Sequence, residues 1–147
     1  MRHAWTVLAE KVIIDQATNN ISIDVLEQVA VDLPPLPEGK RGYLVPAKLE
    51  VVTLWYRSDT LVPERGRMRL RLLGPAGDDI HTIETDIDLT QHQRLRARAA
   101  MMALPVSITG VYLFVVELAH GQAWVEVARV PLEIAIRTST ALPTTQH

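Results

Sequence analysis

Cysteine is absent from the 147 residues. That excludes a disulfide framework, a thiolate zinc site and a cysteine nucleophile, and it leaves the redox compartment open. A surplus of one charge is lacking as well, since 15 Lys and Arg stand against 17 Asp and Glu. The resulting net charge of −2 argues against bulk nucleic acid as an electrostatic partner. No apolar run reaches the ~18 residues that a membrane span requires. Met1-Arg2-His3-Ala4-Trp5 leads into strand-like sequence without an apolar signal core or a small-residue cleavage site, so a cytoplasmic location is expected. Catalytic signatures are missing too. Ser22, Ser58, Ser107 and Ser139 lack a Gly-x-Ser-x-Gly context. Gly39-Lys40-Arg41-Gly42 lacks the strand–loop–helix order of a phosphate loop. His3, His81, His92, His120 and His147 form no i, i+4 pair, and His81 falls in line with Leu70 and Leu72 as a core or rim histidine. The expectation is a chain with no enzymatic activity, no cofactor and no metal.

What is present is a period of two. Arg67, Arg69 and Arg71 alternate with Met68, Leu70 and Leu72, and Glu84, Asp86 and Asp88 alternate with Ile83, Thr85, Ile87 and Leu89. Alternation at this spacing puts each charged set on one face of a β-strand. Gly74-Pro75-Ala76-Gly77-Asp78-Asp79 between them is a dense turn signal. Folded there as a hairpin, the chain sets Arg69 opposite Glu84, Arg67 opposite Asp86, Arg65 opposite Asp88 and Leu70 opposite Ile83. The charge pairs form a solvent-side ladder, each contributing ~0.2–1 kcal/mol.

Further strands are predicted at Trp5 to Asp15, Ile21 to Val31, Tyr43 to Tyr56, Val111 to Leu118 and Trp124 to Ile136. Asn in the Gln16–Asn20 loop tolerates the positive φ of a tight hairpin. Leu33 to Gly42 is too rich in Pro and Gly for a strand and is expected to cross between two sheets. Pro46 suggests an edge or bulge near the start of its strand, and Pro131 a bulge in the last strand. Gln91 to Leu104 is ambiguous. Its composition and a Thr90/Gln93 capping box favour helix, whereas alternation of Arg94, Arg96 and Arg98 with Leu95, Ala97 and Ala99 favours strand. We read it as a strand antiparallel to the acidic one, which would flank the carboxylates with arginine on both sides. Val7 or Leu8, Ile13 or Ile14, Leu49, Val51, Leu70, Ile83, Ile87, Tyr112, Phe114, Val116 and Leu118 should fill the inner faces.

Gly110-Val111-Tyr112-Leu113-Phe114 has the Gly-x-Tyr-x-apolar spacing that resembles the tyrosine corner of immunoglobulin-like sandwiches. Over most of residues 5–136 there is a second resemblance. Leu8-Ala9-Glu10-Lys11-Val12 with Asp15, Asn20-Ile21-Ser22-Ile23, Leu104-Pro105 and Gly110-Val111-Tyr112 together look like an uncharacterised family of small bacterial β-sandwich proteins. Strand two departs from that pattern, with Asp24-Val25-Leu26 where a Gly would follow the apolar run. The resemblance implies a fold and no activity. The expected fold is all-β: a two-sheet antiparallel Greek-key β-sandwich, immunoglobulin-like, with seven or eight strands. It should occupy residues 1–137 as a single domain, with 138–147 a disordered polar tail.

Function classes can be weighed in the same way. Asp24, Asp32, Asp78, Asp79, Glu84, Asp86 and Asp88 invite a calcium reading, but Glu84 to Asp88 spans about 13 Å of strand, too far for one ion. The arginine strands lack the interleaved aromatics that would stack nucleic-acid bases, so no nucleic-acid partner is expected. Pro34-Pro35-Leu36-Pro37 could dock in an SH3-type groove, but a rigid crossing loop is the better reading of it. Val111, Leu113 and Val115 make the last-but-one strand apolar on its second face, and Val52 and Leu54 do the same for Tyr43 to Tyr56. Monomers rarely expose such faces. The leading expectation is therefore a non-enzymatic binding or assembly module, a homodimer or higher oligomer, packed through Val111, Leu113, Val115, Val52 and Leu54. The alternatives are a small-ligand or carbohydrate binder using Trp55, Tyr56 and Trp124, and a metal-dependent hydrolase.

Overall fold

A computed structural model describes residues 1–138. The described chain forms nine strands in two sheets: β1 (Arg2–Ile14), β2 (Ile21–Val25), β3 (Gln28–Leu33), β4 (Tyr43–Tyr56), β5 (Glu64–Leu73), β6 (Asp79–Leu89), β7 (Arg94–Val106), β8 (Gly110–His120) and β9 (Ala123–Thr138). The first sheet has the order β2-β1-β4-β7 and the second β3-β9-β8-β5-β6. Leu8, Leu49, Val51, Trp55, Leu70, Ile87, Tyr112, Phe114 and Leu132 meet between them as one core. Among the described residues no helix is long and apolar enough to cross a membrane. The tail expected from residue 138 lies outside the described residues except for Thr138, which closes β9.

The charged hairpin has the register that alternation predicts, with Arg65, Arg67 and Arg69 opposite Asp88, Asp86 and Glu84, and Leu70 opposite Ile83. Its turn closes through Gly74 N–H to the Asp78 carbonyl at 2.9 Å, with Gly77 at φ 82°. Asn19 takes φ 59° in the β1–β2 turn, where the Asp15 carboxylate accepts from the Ala17 amide at 2.8 Å. The proline-rich segment does run from one sheet to the other, tied down by Tyr43 Oη donating to the Pro34 carbonyl at 2.7 Å.

Several expectations are corrected. Ile21 to Val31 is not one strand. Leu26 N–H donates to the Leu8 carbonyl in the first sheet, while the Glu27 carbonyl accepts from Glu133 N–H in the second. Two adjacent residues thus hand the chain across, which yields nine strands rather than seven or eight. β3 then runs parallel to β9, so the sandwich is not wholly antiparallel. Residues 91–104 do contain a strand, but β7 pairs with β4 and not with the acidic β6, Arg94, Arg96 and Arg98 facing Tyr56, Leu54 and Val52. Pro46 lies at a register shift, as expected. Pro131 does not, because the β8–β9 bulge is at Val116/Glu117. Pro131 falls instead where β9 has no neighbour on its other side, so its missing N–H interrupts no ladder there. Ile13 is half exposed and Ile14 lies outside the core, because the shift between Ala9 and Lys11 turns the β1–β2 hairpin away from the inner face. His81 is exposed on the edge strand β6, although it stands opposite Leu72.

Tyr112 is fully buried, and its hydroxyl donates to the Ile108 carbonyl at 2.8 Å while accepting from the Ser107 and Ile108 amides at 3.1 and 3.4 Å. One oxygen therefore satisfies three backbone groups of the β7–β8 turn. Tyr112→Phe leaves all three unpaired and should cost about 1–2 kcal/mol in urea unfolding. A neutral result would mean that the hydroxyl does not organise this turn.

Candidate functional site

The outer face of the second sheet is where the period-two residues meet. Strand alternation puts Arg67, Arg69 and Arg71 of β5, Glu117 and Val115 of β8, and Glu126 and Arg129 of β9 on that side. In register Arg69 lies between Glu84 and Glu117, and its side chain takes the second. Nε is 2.6 Å from Glu117 Oε2, while Arg67 reaches diagonally to Glu84. Arg71 binds Asp79 through two bonds of 3.2 and 2.7 Å and approaches Glu117 at 3.4 Å. Trp124 carries the Arg69 guanidinium 4.5 Å from its ring centroid and that of Arg67 at 5.5 Å. The expected ladder is thus a network slanted across β6, β5, β8 and β9. Glu117 is only 7% exposed. The hydrogen bond from Arg69 holds its carboxyl below the usual range, against the opposing effect of burial.

This network explains one of the predicted surface residues. Val115 is buried within the chain, lying between Arg71 and Arg129 in register. Long arginine stems cover apolar surface while their charged ends reach out to carboxylates. Val52 on the first sheet is buried likewise, between Val7 and Arg98, with Arg98 turned toward Glu50 at 2.9 and 3.0 Å. Leu54 and Leu113 are half-buried, and Val111 is 48% exposed. The five residues belong to two different sheets, so they do not form one patch.

Next to the arginine network the same face is apolar. Val111 and Glu133 form one row across β8 and β9, Leu73, Leu113 and Pro131 the next, and Arg71, Val115 and Arg129 the third. Beside the Val111 row a cleft of about 560 Å³ opens between the two sheets, lined by Val7, Leu8, Val25, Leu26 and Val130 with Glu27 and Glu133 at its rim. Val25 is 59% exposed there. Sequence reasoning missed Val25 because it was assigned to the interior of one continuous strand, and Pro131 because it was read as a bulge and not as part of an open face.

The aromatic trio does not converge. Trp55 is in the core, its Nε1 donating to Thr53 Oγ1 at 2.8 Å. Tyr56 lies on the outer face of the first sheet, and Trp124 sits beneath the arginines of the second. Asp79, Glu84, Asp88 and Asp32 face arginines, and among the described residues no group of three or more His, Asp or Glu is placed to hold a metal ion. No protein-family profile matches the chain, and no curated protein matches it.

Proposed function

We propose that the chain is a non-enzymatic assembly module that pairs with a second copy of itself through the apolar part of the second sheet's outer face. The immunoglobulin-like, Greek-key reading of the fold belongs to the same proposal. Its support is the Tyr112 hydroxyl on the preceding turn, together with crossings between sheets at β4–β5, β6–β7 and β7–β8 around two hairpins.

The order of the three rows carries the assembly reading. An acidic rim, Glu133 with Glu27 nearby, lies on one side of Leu73, Leu113 and Pro131, and a basic rim lies on the other, Arg71 and Arg129, which within the chain also pair with Asp79 and Glu126. A two-fold axis in the plane of the face, perpendicular to the strands and through the central row, sets the acidic rim of each copy against the basic rim of the other. Such an isologous contact is self-complementary in charge and apolar at its centre. Side-chain packing suits this face better than strand addition, because the β9 bulge and Pro131 spoil the free edge for hydrogen bonding.

Light scattering tests this. The wild type should run at twice the 16.4 kDa chain mass or more. Val111→Asp and Leu113→Asp should run as folded monomers. Val111 is already half exposed, so its variant should keep the wild-type melting profile. A wild type that is monomeric at high micromolar concentration would sink the proposal.

A further inference from the structure

The outer face of the first sheet carries a feature that self-assembly does not use. The β1–β2 hairpin lies back across it, so that the Asn19 main-chain carbonyl accepts from Arg96 at 2.8 Å. Between hairpin and sheet is a cleft of about 440 Å³ with an apolar lining of Trp5, Ile14, Ile21 and Leu54. Arg94, Arg96 and Arg98 of β7 also line it, with His92 just before them, and no carboxylate does.

The charges there are unbalanced. Arg98 is neutralised by Glu50. Arg96 is fixed by a neutral carbonyl, which orients the guanidinium without cancelling its charge. Arg94 is exposed and has no carboxylate within ion-pair distance among the described residues. On the other sheet each of Arg65, Arg67, Arg69 and Arg71 has such a partner. The contrast follows from topology, since pairing β7 with β4 instead of β6 takes its arginines away from the acidic strand.

We infer that this cleft binds a small amphipathic anion, with an aliphatic or aromatic body on Trp5, Ile14, Ile21 and Leu54 and a carboxylate between Arg94 and Arg96. The planar fork of guanidinium donors matches a carboxylate in two-bond geometry. An apolar lining with a few convergent polar groups is the ordinary form of a small-molecule site, and the volume suits one such ligand. A nucleic-acid strand fits less well, because the apolar basin is closed by the hairpin rather than continuing as a track with successive stacking surfaces.

The test uses the full chain, with 8-anilinonaphthalene-1-sulfonate as a fluorescent anionic reporter and decanoate as competitor. The reporter should saturate at one site per chain and be displaced by decanoate, but not by decanol or inorganic phosphate at equal concentration. Arg94→Ala should weaken decanoate at least tenfold, with unchanged melting temperature because the exposed Arg94 side chain forms no ion pair among the described residues. Arg65→Ala should change decanoate binding less than twofold. Displacement by decanol as effective as by decanoate would overturn the proposal, as would an Arg94→Ala variant with wild-type affinity or the absence of saturable binding. Displacement of the reporter by a short single-stranded oligonucleotide, lost in Arg94→Ala, would replace it with a nucleic-acid site.

Discussion

Trp55→Ala is expected to destabilise the chain by about 3–5 kcal/mol in urea unfolding, the range for removing a large buried aromatic. The indole is fully buried in β4, faces Leu95 in register, and meets the His3 ring edge-on at 5.2 Å. Its N–H is satisfied by Thr53 Oγ1, which is itself buried and donates to the Ala97 carbonyl at 3.3 Å. Truncation therefore opens a cavity between the sheets and removes the donor to a buried hydroxyl. A tryptophan that stacked a sugar from solvent would behave in the opposite way, with stability kept and binding lost. A cost under ~1 kcal/mol would contradict the core placement.

Arg69→Ala is expected to cost about 2–3 kcal/mol at neutral pH, because it leaves the shielded Glu117 carboxylate with only Arg71 at 3.4 Å. Arg67→Ala removes an ion pair whose two side chains are each about half exposed, and should cost under ~1 kcal/mol. The pH dependence follows from the direction of the Glu117 shift. A carboxyl held below its ordinary value of 4.5 contributes stability that is complete above that value and is lost as pH falls through the lower folded value. The gap between wild type and Arg69→Ala should therefore be widest above pH 4.5 and narrow below it. Equal gaps at neutral and acid pH would show that packing over Trp124, not the ion pair, dominates at this position.

The β5–β6 register was legible because alternation and a strong turn signal agree, and a slip of one residue would expose Leu70 and Leu72. The partner of Arg69 was not. Glu117 stands 48 residues away in a strand that otherwise reads as apolar, and only the sheet order makes β8 the neighbour of β5. Alternating arginines made a strand of β7 for the right reason, yet charge matching with β6 misplaced it. The deciding factor was burial of Leu95, Ala97, Ala99 and Met101 against the core beside β4. The sheet switch at Leu26-Glu27 and the turn-away after Ala9 carry neither glycine nor proline. They arise from edge pairing that no local pattern encodes. The surface followed the same rule. Two apolar faces looked open in sequence, and arginine side chains from neighbouring strands cover Val115 and Val52, leaving Val111, Leu113 and Pro131 as the open part of one of them.

The most direct test of self-assembly through that part is a charge exchange between its two rims. Glu133→Arg sets the introduced guanidinium of one copy against Arg129 of the other, and Arg129→Glu sets like carboxylates together, so each variant alone should run as a monomer in light scattering. Mixed in equal amounts, the two should recover a species of twice the chain mass, because both contacts across the two-fold axis become attractive. A mixture that stays monomeric while the wild type dimerises, or single variants that dimerise as the wild type does, would contradict the proposed face.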